Sequence, residues 1–241
     1  MSKHFKLGIS LFIAFAVTAG TLYAEEKRYE VKSGVVEYAI TKSGNMMGIT
    51  MQGNGTAKTL FTAWGNVELY SEEGETTTMG RTEHEREMTK VDHGKLFVVD
   101  FDQKVIYEYT PEMLKNSEYQ DFAQTGKEMI ESMGGQKIGE ERVMGYLCEV
   151  WEIAPVKLWL HKGVMLKSEA EMMGIKHTTI ATKVNLNVSI SESDLKLPDF
   201  PIKSPSENMI FDGEENENEI PQLTPEQMQQ MQEIMKNFSA S

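Results

Sequence analysis

One pattern repeats along the chain. Short runs rich in β-branched and aromatic residues follow one another, several of them closed by glycine, and a single different stretch interrupts them. Before the interruption stand SGVVEYAITKSG, MMGITMQGNGTAKTLFTAWG, NVELYSEEGE and KLFVVDFDQKVIYEYT; after it stand YLCEVWEI, VKLWLHKG, VMLKSEAEMMG and IKHTTIATKVNLNVSI. Such runs read as strands separated by turns. Within the second, the GNG at Gly53 to Gly55 reads as a hairpin turn, and DFDQ reads as the loop of the last hairpin before the interruption. RTEHEREMTKVDHGK alternates, with His84, Arg86 and Met88 on one face and Glu83, Glu85 and Glu87 on the other, which suits a solvated strand at a sheet edge.

The interruption is helical in pattern. Thr110 is placed to cap it, Pro111 suits a first helical position, and Glu112 complements the helix dipole. Tyr119, Phe122, Met129, Ile130 and Met133 form one apolar stripe, and Gly134 with Gly135 ends it. Strands, one helix and strands again predict an α+β domain: a strongly curved antiparallel sheet, a half-open barrel, packed on one or more helices. This domain is expected over residues 25–200.

The two ends of the chain read differently. Lys3 and Lys6 precede the uncharged run LGISLFIAFAVTA, and small Ala24 stands before EEKRYE. That order is a secretory signal peptide over residues 1–24, with an apolar run too short to span a bilayer. The mature protein is therefore expected in the periplasm, beginning near Glu25 without a membrane anchor. Beyond Pro198 comes an acidic linker or extended arm, residues 201–223, with no Lys or Arg between Lys203 and Lys236. A short helix is predicted over 224–241: Thr224 and Gln227 pair as a capping box, Pro225 follows the cap, and Met228, Met231, Ile234 and Met235 share a face.

Charge and cysteine content narrow the function. The formal charge is −13, and loss of Lys3 and Lys6 takes it further negative, so nothing draws the protein to nucleic acid or an anionic membrane. The single cysteine, Cys148, lies in YLCEVWEI beside acids rather than cations, which suits a buried apolar role and rules out an internal disulfide. No nucleophile elbow, phosphate-cradling loop or haem-attachment motif is present, and His84, His93, His161 and His177 have no metal-ligand spacing. No catalytic residue, cofactor or metal site is expected.

Methionine is the unusual residue, at 17 copies. Thioethers suit Cu(I), but they also line adaptable apolar surfaces. Met46 with Met47, and Met172 with Met173, are adjacent pairs that a strand would point to opposite faces, which favours packing or a greasy surface over an ion.

The second half, CEVWEI followed by KLWLHKGVMLKSEAEMMGIKHTTIATKVNLNVSISESDLKLP, resembles the closing strands of the periplasmic lipoprotein-carrier superfamily with the LolA-like fold. The shared pattern is a strand ending in LWL, a tight turn at Gly163, LKSE on the next strand, a longer strand through TTIATKVNLNVSI, and a stop at LKLP. GKLFVVDFDQKVIYEY followed by a helix also fits, and the resemblance covers most of Val31 to Pro198. Where the best-known members carry proline in the turn, this chain has Met165. The resemblance implies a curved sheet whose concave face shelters an acyl chain, each buried CH₂ contributing about 0.8 kcal/mol. It makes Leu60, Phe97, Val99, Phe122, Ile130, Val150, Trp159, Leu166 and Met172 candidate cavity residues.

The function expected is a soluble exported binder of an apolar ligand, a lipid or lipoprotein acyl-chain carrier being the sharpest form. The alternatives are an envelope interaction module that docks a partner through Met228, Met231 and Met235, and a copper-binding protein. The tail helix could instead plug the barrel mouth.

Overall fold

The structure, a computed structural model, describes residues 27–46, 48–115, 130–131 and 134–205. They form a 12-stranded sheet that does not close on itself, in the order β12-β6-β5-β4-β3-β2-β1-β11-β10-β9-β8-β7. The strands are β1 (Gly34–Met46), β2 (Ile49–Thr62), β3 (Val67–Thr78), β4 (Arg81–Asp92), β5 (Lys95–Asp100) and β6 (Val105–Tyr109). Later in the chain come β7 (Gln136–Val143), β8 (Tyr146–Ile153), β9 (Val156–His161), β10 (Val164–Met172), β11 (Ile175–Leu186) and the short β12 (Ile202–Lys203). Neighbours pair antiparallel except β12, which lies parallel to β6.

Most hairpins turn on an X–Gly pair with both φ positive, as at Lys162 (52°) with Gly163 (82°) and Met173 (52°) with Gly174 (77°). This is the type I′ geometry whose twist matches that of paired strands, and the second position takes glycine without steric cost. The turn expected at Gly163 is of this kind. The one expected at Gly53–Gly55 is not a turn: β2 runs straight through it, and the chain reverses instead between Met46 and Ile49. These glycines answer to curvature. A Cβ on Gly55 would stand 2.8 Å from the Glu73 carbonyl oxygen and 3.1 Å from the Gly74 Cα. One on Gly53 would stand 2.7 Å from the Glu75 oxygen.

Register shows what the glycines permit. Ile40, Gly55, Gly74 and Glu85 lie opposite one another across four strands, and Lys42, Gly53 and Thr76 form the next row. Lys42 on β1 forms an ion pair with Glu85 on β4. In a flat sheet those strands would be about 14 Å apart, three ladder spacings, so the sheet must curl toward this side. We call it the inner face.

The inner face carries the largest core, with Val36, Tyr38, Ile40, Phe61, Cys148, Val150, Trp159, Val164 and Leu166 all buried. Cys148 is fully buried, in the apolar role its local sequence suggests. The outer face has smaller clusters. Leu60 and Leu69 pack with Leu195, which belongs to the 3₁₀ turn Glu192–Leu195. Ile130 packs on Trp151, Leu158 and Leu160.

Only the ends of the predicted helix are described. The first is α1 (Pro111–Lys115), where the Met113 amide donates to Thr110 Oγ1 at 3.4 Å, as the cap predicted. At the other, Gly135 N donates to the Ile130 carbonyl at 2.7 Å. Phe122 lies outside the described residues, as do the expected signal peptide, most of the expected acidic arm and the expected tail helix with Met228, Met231 and Met235. The acid-alternating strand β4 is an edge from Arg81 to Met88, since β5 pairs with it from Thr89 to Asp92 alone. β7 was not anticipated. Its residues are exposed up to Val143, so no apolar alternation marks it as a strand.

One end of the roll is crossed by residues 28–33. The Tyr29 amide donates to the Trp64 carbonyl at 2.9 Å and that of Glu30 to the Lys162 carbonyl at 3.0 Å. Arg28 is buried and donates to the Gly65 carbonyl at 2.6 Å, with Glu68 3.7 Å from its guanidinium. Burial alone would lower the Arg28 pKa, but Glu68 and Tyr29 beside it hold it above its usual value.

The curl makes Gly55→Val the harmful glycine change, at about 1–3 kcal/mol from forced backbone shifts. Gly139→Ala meets nothing within 4 Å and should change stability by less than about 0.5 kcal/mol. Urea unfolding of both variants checks the contrast. Arg28→Ala should cost about 2–4 kcal/mol by removing the buried cation beside partly buried Glu68 and its hydrogen bond to Gly65, read by the same measurement.

Candidate functional site

Alternation along the strands stacks the inner face in layers. Deepest is the apolar core, which brings Val150, Trp159 and Leu166 together, each at most 4 % exposed. Tyr38 donates from its hydroxyl to the Met165 carbonyl at 2.9 Å, and Trp159 Nε1 donates to Glu141 Oε2 at 2.8 Å, so the aromatic polar ends are satisfied. Burial, reinforced for Tyr70 by Glu72, raises the pKa of the Tyr38 and Tyr70 hydroxyls, which stay protonated.

Above the core lies a polar layer. Ser168 and Thr179 face each other on β10 and β11, in register with Ile40. One step further along, His177 pairs with Lys42, and Thr76 stands across Gly53. Thr76 Oγ1 donates to Glu85 Oε1 at 3.0 Å, so Glu85 holds both Lys42 and Thr76. His177 is buried; desolvation first and Lys42 second push its pKa down to about 4, with Glu85 opposing. It is a neutral imidazole at ordinary pH.

The next inner-face layer, the last on β10 and β11, is apolar from β10 to β2 and reaches Thr78 and Arg81 on β3 and β4. Met172, Ile175, Gly44 and Met51 lie opposite one another across β10, β11, β1 and β2. Met172 is 39 % exposed, and at the tips of the neighbouring hairpins Met173 and Met79 are 76 % and 80 % exposed. This end lies opposite to the one crossed by residues 28–33.

The other cavity candidates fall elsewhere. Leu60 pairs with Leu69, that with Lys90, and Lys90 with Phe97, which places Leu60 and Phe97 on the outer face. Val99, two residues beyond Phe97, shares that face and is buried. Ile130 covers the outer side of β8 and β9. Thus Val150, Trp159, Leu166 and Met172 share a face, whereas Leu60, Phe97, Val99 and Ile130 do not belong to it. The outer face also holds a recess of about 470 Å³ between β1 and β4, walled by Lys58, Ser71, Glu73, Arg86 and Met88. Its charged lining does not suit an apolar chain. Among the described residues no group of three His, Cys, Asp or Glu converges as metal ligands would, and no helix is long and apolar enough to cross a membrane.

The polar layer was not singled out from the sequence, although a signal existed. Lys42 continues the alternation of Val36, Tyr38 and Ile40, and His177 falls in phase with Ile175, Thr179 and Ala181. A charge on the buried phase of a strand marks a position where pairing is required. Around VKLWLHKG, the hairpin reading holds: Leu158 and Leu160 pack on one face and Trp159 on the other. Lys167 pairs with Glu169 at 2.8 Å and also lies 4.0 Å from the Trp159 ring centroid.

No family model matches the chain, and no curated protein matches it in sequence. Solved structures similar to it include an uncharacterized conserved protein from Thermus thermophilus, at 8 % identity over 70 % of this chain and 90 % of that one, with a TM-score of 0.38. A LolA superfamily protein from Nitrosomonas europaea is similar at 12 % identity over 72 % and 94 %, with a TM-score of 0.33. A putative outer membrane lipoprotein-sorting protein domain from Vibrio parahaemolyticus is similar at 12 % identity over 70 % and 91 %, with a TM-score of 0.31.

Burial of neutral His177 predicts a pH dependence with a definite sign. The unfolded chain takes up this proton near the ordinary value of 6.5, the folded chain only near 4. Stability should fall as pH drops through that window and then level off, by at most on the order of 3 kcal/mol. His177→Gln should flatten the wild-type minus variant difference across the window in denaturant midpoints.

Proposed function

We propose that the protein is an exported binder of an apolar ligand, a carrier of lipid or acyl chains in the periplasm rather than an enzyme. The observation that carries this reading is the layering of the inner face. A packed apolar and aromatic core is followed along the strands by one polar layer and then by an end carrying Met51, Ile175 and Met172, with Met79 and Met173 exposed at hairpin tips of the same end.

Methionine side chains are unbranched and polarizable, so they adapt to an apolar partner of variable shape. Exposed large apolar side chains gathered at one end of a molecule fit contact with such a partner better than contact with water. An unclosed sheet can admit a chain along its open side, where a closed barrel would need a larger opening motion. The leader at residues 1–24 supports export, and the resemblance to the lipoprotein-carrier superfamily supports an acyl chain as cargo.

Protein purified from its own cell envelope should carry a lipid or acylated peptide detectable by native mass spectrometry, and the emptied protein should bind a fluorescent fatty-acid probe. Absence of any co-purifying lipid together with no probe binding overturns the reading.

A further inference from the structure

The polar layer lies between the apolar core and the methionine rim, and it asks for an explanation. Ser168 is fully buried, and among the described residues its hydroxyl has no hydrogen-bond partner. A buried hydroxyl without a partner costs free energy, and alanine or valine would pack there without that cost. Two positions along β1 from Ile40, on the same face, Lys42 has 18 % of its side chain exposed, and the ion pair that neutralises it is with Glu85.

The two partners of that pair differ. Lys42 lies inside the curl, whereas the Glu85 side chain is 41 % exposed on the part of β4 that pairs with β3 alone. Glu85 can therefore turn out into water at small cost, while Lys42 cannot follow it. The glycines at Gly53, Gly55 and Gly74 leave no side chain between them.

We propose that this layer is a head-group site for an anionic amphiphile bound head inward. The carboxylate or phosphate of the ligand replaces the Glu85 carboxylate on Lys42 Nζ and takes the hydrogen bond that Thr76 Oγ1 now gives to Glu85. One carboxylate leaves as one anion arrives, so the charge beside Lys42 is unchanged and no buried cation is left unpaired. Neutral His177 adds no charge to the site, and Ser168 offers a donor on the neighbouring row. The apolar tail then lies along Met51, Ile175 and Met172, the inner-face row one step nearer the strand ends, about 7 Å beyond Lys42. Met173 and Met79 are exposed at the tips of the β10–β11 and β3–β4 hairpins at this same end.

This inference rests on the apolar-ligand reading, and the test separates the two. Laurate and 1-dodecanol are titrated into the full chain by calorimetry, alongside inorganic phosphate and acetate as free anions. Laurate should bind about tenfold more tightly than dodecanol, the ordinary worth of a charge-assisted contact. Lys42→Gln should remove that difference and leave dodecanol unchanged, and Lys42→Arg should restore most of it. Glu85→Gln, which leaves the fold its half-exposed side chain and removes the competing anion, should tighten laurate several-fold. Circular dichroism confirms that each variant is folded; if Lys42→Gln is not, Glu85→Gln and Thr76→Val, the latter weakening laurate, decide the matter.

Laurate and dodecanol binding equally, with neither affected by Lys42 or Glu85, overturns the head-group site and leaves the apolar-ligand reading standing. Binding of neither overturns both. Displacement of laurate by phosphate or acetate at equal concentration overturns the amphiphile in favour of a free anion.

Discussion

The ion pair between Lys42 and Glu85 exists because three positions beneath it have no side chain. Gly53, Gly55 and Gly74 bring the backbones of β2 and β3 closer than any Cβ would allow. That close approach bends the sheet toward one face. The bend makes β1 and β4 neighbours across an interior, although two strands separate them in the ladder. Once the sheet has an inside, every alternating strand divides its residues between an inner and an outer face, and the layered interior follows. The glycines are therefore the condition for the core, and Lys42 with Glu85 is the contact that spans the bend.

The ends of the roll are built differently. One is crossed by residues 28–33, hydrogen bonded to the Trp64 and Lys162 carbonyls and anchored by buried Arg28 on Gly65 and Glu68. The edge-to-face contact of Tyr29 with Phe61, at 4.6 Å between centroids, joins this crossing to the core. At the other end the strands finish in hairpins bearing exposed methionines. The outer face is covered in part by the segment after β11, which contributes Leu195 over Leu60 and Leu69 before β12 joins the sheet beside β6.

How far the fold could be read depended on what each signal measures. Alternating apolar runs located the strands of the second half well, because β-branched and aromatic residues there face a real core on at least one side. X–Gly turns were legible at Gly163 because a positive φ is needed there. The same residue misled at Gly53–Gly55, where glycine was required by a neighbouring backbone rather than by the chain's own turn. β7 escaped notice because exposed edge residues carry no alternation. The cavity candidates scattered for a related reason. Both faces of this sheet bury apolar side chains, so an apolar residue on a strand says that it is buried, not on which side. Val150, Trp159 and Leu166 met on the inner face, whereas Leu60 and Phe97 turned outward by their register with Leu69 and Lys90.

The sequence by itself determined the strand-rich character, the places of most hairpins, the Thr110 cap on α1, and the burial of Cys148. These depend on local propensity and on φ, which a few neighbouring residues decide. Tertiary structure alone decided which face each strand turns inward, that Lys42 meets Glu85, that His177 is buried and neutral beside them, and that methionines from separate hairpins gather at one end. Those facts depend on register and curvature summed over several strands. A change of one residue in register would exchange the two faces without altering any local pattern.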